Sequence, residues 1–123
     1  MTQTDKDLLI KDLCSRLPYG VMAKFGDSKP LKITNIGQFQ DSKSWFIESE
    51  FESGTILGLL PDIKPYLFPI SSMTIDQAQE WHKYANDRGG LAPSTDWLNA
   101  HHFDYRGLIP MGLANDATGL NIY

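Results

Sequence analysis

The chain has 123 residues, of which 41% are hydrophobic, 11% aromatic and 21% charged; this is the make-up of a single globular domain around one core and excludes a disordered or fibrous chain. Eleven Lys and Arg against fifteen Asp and Glu leave a net charge of -4, so the surface as a whole repels a phosphate backbone and nucleic acid is disfavoured as a partner. The lone cysteine, Cys14, excludes an internal disulfide and a multi-cysteine zinc site.

No stretch approaches the roughly twenty apolar residues that cross a bilayer, and MTQTDKDLLIKDLC carries Asp5, Asp7 and Asp12 where a signal peptide would be apolar. A cytoplasmic protein with no membrane partner is the expectation. Thr4 and Asp7 have capping-box spacing ahead of Ile10, Leu13, Cys14 and Leu17, which predicts a helix over about residues 5–16 with those four on its buried side. Pro18-Tyr19-Gly20 ends it. Four runs rich in β-branched and aromatic residues follow, VMAKF (21–25), LKITNIGQF (31–39), WFIESEF (45–51) and TILGLL (55–60), separated by the turn compositions GDSKP, QDSKS and ESG. Connections this short join antiparallel neighbours.

In DIKPYLFPISSM (62–73), Pro65 and Pro69 forbid a central strand by local criteria while Ile63, Tyr66, Leu67, Phe68 and Ile70 demand burial, so the segment reads as an irregular strap across the sheet. Thr74 and Gln77 form a second capping box, opening a helix over about 75–86 whose Ile75, Ala78, Trp81, His82 and Ala85 share a face. A third, shorter helix is predicted from near Thr95 to near Phe103, after the loop DRGGLAPS. The Gly- and Pro-interrupted remainder docks as a tail. The fold class is α+β in one domain, 1–123: a small bent antiparallel sheet, curved enough to approach an SH3-like barrel, with an N-terminal helix and two or three C-terminal helices.

Candidate chemistry is sparse. On the predicted third helix Trp97, His101 and Tyr105 fall at successive i, i+4 steps, which makes His101 a packed histidine in an apolar stripe; His102, near Asp104 and Arg106, points elsewhere and reads as a capping or surface group. Adjacent helical histidines diverge and make a poor chelate. The sharpest enzymatic alternative is a metal or acid-base site of His82, His101 and Asp104, against which His82 simply edges its helix face. Cys14, in the C-terminal half of the first helix and on its apolar side, reads as buried and inert. Glu48, Glu50 and Glu52 alternate along a strand opposite Trp45, Ile47 and Phe51; they could serve glycoside hydrolysis or hold a cation, but fit the wet face of a half-buried sheet, with Lys32 placed to pair across to them. Lys24, Lys29 and Lys32 gather near the first hairpin as a weak nucleic-acid surface, or as charges that keep the hairpin soluble. No phosphate loop or nucleophile elbow is present.

The segments DLLIKDLCSRLPYGV (7–21), DIKPYLFPISSMT (62–74) and TDWLNAHHFDYRGLIPMGLA (95–114) resemble, in the same order, an uncharacterised family of small proteins encoded in gut Bacteroides genomes and their phages. The resemblance implies a cytoplasmic protein linked to a phage or mobile element and brings no activity, cofactor or catalytic residue with it. Together these readings favour a non-enzymatic interaction or adaptor module with a protein partner and no cofactor. The Trp and Tyr content of the helical half leaves surface for self-association into a homo-oligomer.

Overall fold

A computed structural model describes residues 2–40, 44–51, 54–59, 62–87 and 91–123. Helix α1 spans Gln3–Arg16 and begins two residues earlier than the Thr4/Asp7 pair predicts, because the same spacing recurs at Thr2/Asp5: the Thr2 hydroxyl accepts from the Asp5 N–H and the Asp5 carboxylate accepts from the Thr2 N–H. Its buried side is also rotated. Ile10 and Leu13 are buried as expected, but Leu9, Asp12 and Arg16 face inward with them, whereas Cys14 is exposed rather than buried. A purely apolar reading misses part of this face because Asp12 and Arg16 form an ion pair in it: Arg16 Nε donates to Asp12 Oδ2 at 2.9 Å with both side chains fully buried.

After a 3-10 turn at Leu17–Tyr19, strands β1 (Met22–Phe25), β2 (Leu31–Gln38), β3 (Trp45–Phe51) and β4 (Gly54–Leu59) follow close to their predicted positions. They pair antiparallel in sequence order, with a register irregularity in β2 between Ile33 and Asn35. Alternation puts Ile47 and Ser49 toward the core and Phe46, Glu48 and Glu50, with Leu59, Leu57 and Thr55 opposite them, on the outer face. Phe46 lies across Gly37, where a Cβ would overlap its ring.

The segment expected as a strap is strand β5 (Ile63–Pro69), and it is central: β1 flanks it antiparallel, β6 (Phe103–Asp104) and β7 (Asn115–Asp116) parallel. The sheet is therefore mixed, not antiparallel throughout. The prolines are admitted by register. Gly26 N–H donates to the Asp62 carbonyl at 2.9 Å, which fixes that as a hydrogen-bonded pair. Counting along the ladder, Phe25/Ile63 is then a non-bonded pair, Lys24/Lys64 a bonded one and Ala23/Pro65 non-bonded again. Pro65 thus lacks its N–H only where that group would point away from β1, on a flank that no strand occupies until β7 begins opposite Tyr66. One position further, where Met22 faces Tyr66, the Tyr123 hydroxyl takes over the ladder, accepting from Met22 N–H at 2.8 Å and donating to the Tyr66 carbonyl at 2.7 Å.

Helix α2 (Ile75–Asp87) opens with the predicted Thr74/Gln77 box, both bonds formed. Ile75, expected on its buried face, is 78% exposed; Trp81 and Tyr84 are the side chains that turn inward. Helix α3 runs Leu91–Ala100 rather than from Thr95 to Phe103. It stops because His102 adopts a left-handed conformation, φ 62°, a role glycine or asparagine more often fills. Tyr105 consequently lies beyond the helix, and the i, i+4 stripe reduces to Trp97 and His101.

Two apolar clusters result. The larger joins Leu9, Ile10 and Leu13 of α1 to Ala23, Phe25, Ile33, Ile47, Ile63 and Leu67 of the sheet, closed by Leu108, Leu113 and Ala114 of the tail. The smaller gathers Trp97, Leu98 and Phe103 with Phe68, Met73, Trp81, Tyr84 and Tyr105. The class is α+β as expected. The sheet, in the order β4-β3-β2-β1-β5-β6, bends but does not close into an SH3-like barrel.

Candidate functional site

The histidine cluster is packing. His101 Nδ1 lies 2.9 Å from the Trp97 carbonyl and its ring stacks on Trp97 at 4.0 Å. His82 is exposed on α2 beside Trp81. Asp104 is buried and both its carboxylate oxygens are committed, accepting from Leu108 N–H and Ile109 N–H at 2.9 Å each, so it folds the following turn instead of presenting a base. Among the described residues no group of three or more His, Cys, Asp or Glu is placed to hold a metal ion. His102, expected as a capping or surface group, is buried against Tyr123, ring on ring at 3.7 Å. Burial first, then the nearby Arg16 guanidinium and His101, depress its pKa to about 4. Burial likewise pushes the Tyr123 phenol up.

Hydrophobicity reading passed over the buried polar centre beneath these rings. Asp12 binds Arg16 with one oxygen and Arg106 Nη1 with the other, at 2.7 Å. Arg16 also donates to the Phe103 carbonyl at 2.6 Å, and both guanidinium groups lie over the Tyr105 ring, whose hydroxyl donates to Asn99 Oδ1 at 2.9 Å. These groups face one another and tie α1 to the chain after α3. That is a structural job. The signal for it was present as Asp12 and Arg16 at i, i+4, a pairing that holds a helix face together.

The lysines separate. Lys32 lies opposite Met22 on the outer face and reaches over Gly20, making no ion pair with the glutamates among the described residues. Lys29 sits in the turn after β1. Lys24 is opposite Lys64 of β5, so their side chains leave the sheet side by side. Glu48 and Glu50 occupy the wet face as expected, and Glu52 lies outside the described residues. Cys14, though exposed, has its thiol pKa raised by partial desolvation, the opposite of a nucleophile's tuning.

What the fold leaves open is a seam. Among the described residues strand β4 is the outermost strand and pairs with β3 alone, and β5 has no strand beyond Ile63 to Pro65 on its far side. Gly58 brings the two close, since a Cβ there would overlap Ile63 Cδ1 and approach Phe25 Cδ2 to 2.9 Å. Between them is an open hollow of about 390 Å³ lined by Phe25, Leu57, Gly58, Leu59 and Ile63, with Gly26 and Asp62 at its end. Leu57 is 52% exposed and Leu59 44%. Gly26 and Asp62 also border a second hollow of about 350 Å³ formed by Lys24, Lys64, Asp27 and Asn115. The strand carries no charge and no proline, the devices that usually guard a sheet edge. Comparison of the chain with models of protein families, with curated proteins and with solved structures found no match.

Proposed function

We propose that the protein is a non-enzymatic interaction module that receives an extended segment of a protein partner along β4, as an added strand at the open seam. The observation that carries this is the edge itself: an unguarded, uncharged strand that pairs with β3 and with no second strand among the described residues, its Leu59 carbonyl taken by the Asp62 N–H and its Leu57 and Leu59 side chains half in water beside an apolar hollow. An incoming strand would satisfy the free backbone groups of β4 and cover both leucines, worth about 1 kcal/mol for each exposed half. A phosphate backbone suits the place poorly, because Asp27 and Asp62 flank the lysines. The phage or mobile-element setting and the cytoplasmic location implied by the resemblance belong to this same proposal.

The test is selection of displayed random peptides on the full chain. The expected outcome is a set of peptides that protect β4 amides from hydrogen exchange and lose about tenfold in affinity on Leu57→Lys, a substitution at a half-exposed site that leaves the core untouched. Failure to select any peptide, or peptides indifferent to Leu57→Lys, would refute the reading.

A further inference from the structure

We infer that the segment received at the seam carries an aliphatic side chain and, beyond it, a single carboxylate held between Lys24 and Lys64; this rests on the edge-strand reading above and names the partner's chemistry. Lys24 and Lys64 form a directly opposed, hydrogen-bonded pair of antiparallel residues, which sets their Cα atoms about 5.5 Å apart with both side chains on the same face. Like charges in that position repel. Neither lysine has an ion-pair partner among the described residues; Asp27 and Asp62 line the same cleft and offset part of the repulsion without bridging the pair.

The cleft they form is bounded by Asn115 on the far strand and is continuous, through Gly26 and Asp62, with the apolar hollow of Phe25, Leu57 and Leu59. One extended chain can therefore place an aliphatic side chain in the first and an acidic one in the second. Asp27 and Asp62 then set the limit: they stand at the lysines' edge and repel any further negative charge, which selects one carboxylate over a run of acids or a polynucleotide.

The experiment uses the full chain and a panel of synthetic extended peptides, each with one leucine and, at a series of spacings, one glutamate, together with matched glutamine and lysine peptides. The best glutamate peptide should bind about fivefold more tightly than its glutamine counterpart, the preference shrinking as salt is raised. In Lys24→Met/Lys64→Met the glutamate preference should vanish while the glutamine peptide binds as before. Peptides that bind at β4 with no glutamate preference, or with one that survives the double substitution, overturn this inference and leave the edge reading standing. If no peptide binds and sedimentation shows a self-associated species that Leu57→Lys dissociates, the occupant is a second copy of the chain and both fall. If neither peptides nor self-association are seen, both fall as well.

Discussion

Replacing Asp12 by Asn tests the polar centre that holds the helical end of the fold. The carboxylate contacts two guanidinium groups, Arg16 Nε at 2.9 Å and Arg106 Nη1 at 2.7 Å, with Asp12 and Arg16 fully buried and Arg106 only slightly exposed. The amide keeps the shape and one acceptor, enough for only one of the two guanidinium groups, but removes the charge, leaving Arg16, whose other partner is the Phe103 carbonyl, as an unneutralised cation in the core. Taking one partner from a buried ion pair costs about 3–5 kcal/mol, a large part of the roughly 5–15 kcal/mol that holds a domain of this kind folded. Urea unfolding followed by fluorescence should show the unfolding free energy falling by that amount, as a lower midpoint with the slope unchanged. Adding Arg16→Met to Asp12→Asn should recover part of the loss, because it removes the stranded charge, so a double-mutant cycle should report coupling well above 1 kcal/mol. A loss under about 1 kcal/mol for Asp12→Asn, or strict additivity in the cycle, would mean that water reaches the centre and that its charges are not what joins α1 to the chain after α3.

Stability should also fall with acid through His102. Its folded pKa of about 4 lies below the ordinary 6.5, so between these values the unfolded chain binds a proton that the native state refuses; the contribution is intact above about pH 6.5 and lost as pH drops toward 4, amounting to about 3 kcal/mol in all. The pH profile of His102→Asn, which tolerates the left-handed backbone, should be flatter than that of the parent by this amount, and parallel profiles would count against the burial of a neutral ring. Gly58→Ala places a methyl group against Ile63 and Phe25 and should cost about 1–3 kcal/mol in chemical denaturation. A neutral result there would show that β4 stands away from β5 and that the seam is wider than described.

The strands were legible wherever one face is wet. Period-two alternation and turn residues located β1 to β4 within a residue or two, because at those places local pattern and burial agree. The errors came where a long-range partner changes the rule. Pro65 and Pro69 mark a non-strand by local criteria, yet Pro65 falls in a non-bonded pair whose identity depends on the register with β1. Asp12 and Arg16 look like a solvent face until Arg106, far along the chain, arrives to make them a core. His102 ends α3 with a backbone conformation that residue type alone does not announce. The candidate site was visible only in part: Lys24 was noticed beside Lys29 and Lys32, but its partner Lys64 lay in the presumed strap. The exposure of Leu57 and Leu59 could not be read at all, since nothing in TILGLL says whether a further strand comes.

The distribution of polar contacts bears on how such a seam persists. Both ion pairs among the described residues belong to Asp12, and with Asp104 capping the turn after β6 and Tyr123 completing the β1–β5 ladder they concentrate specific bonds on the side where α1, β5 and the tail meet. The β4 side is held differently, by its ladder to β3 and by the contact of Gly58 with Ile63 and Phe25. A strand bonded on one side only opens at lower cost than the sheet interior, so β4 can adjust to an added strand while the buried charges keep the rest in register. Closing the seam with native chain would remove that adjustability together with the exposed leucines. An edge left this open is an aggregation hazard in an otherwise well-bonded domain, and under the proposed function a partner strand that covers it would be the physical reason for a fold to keep it.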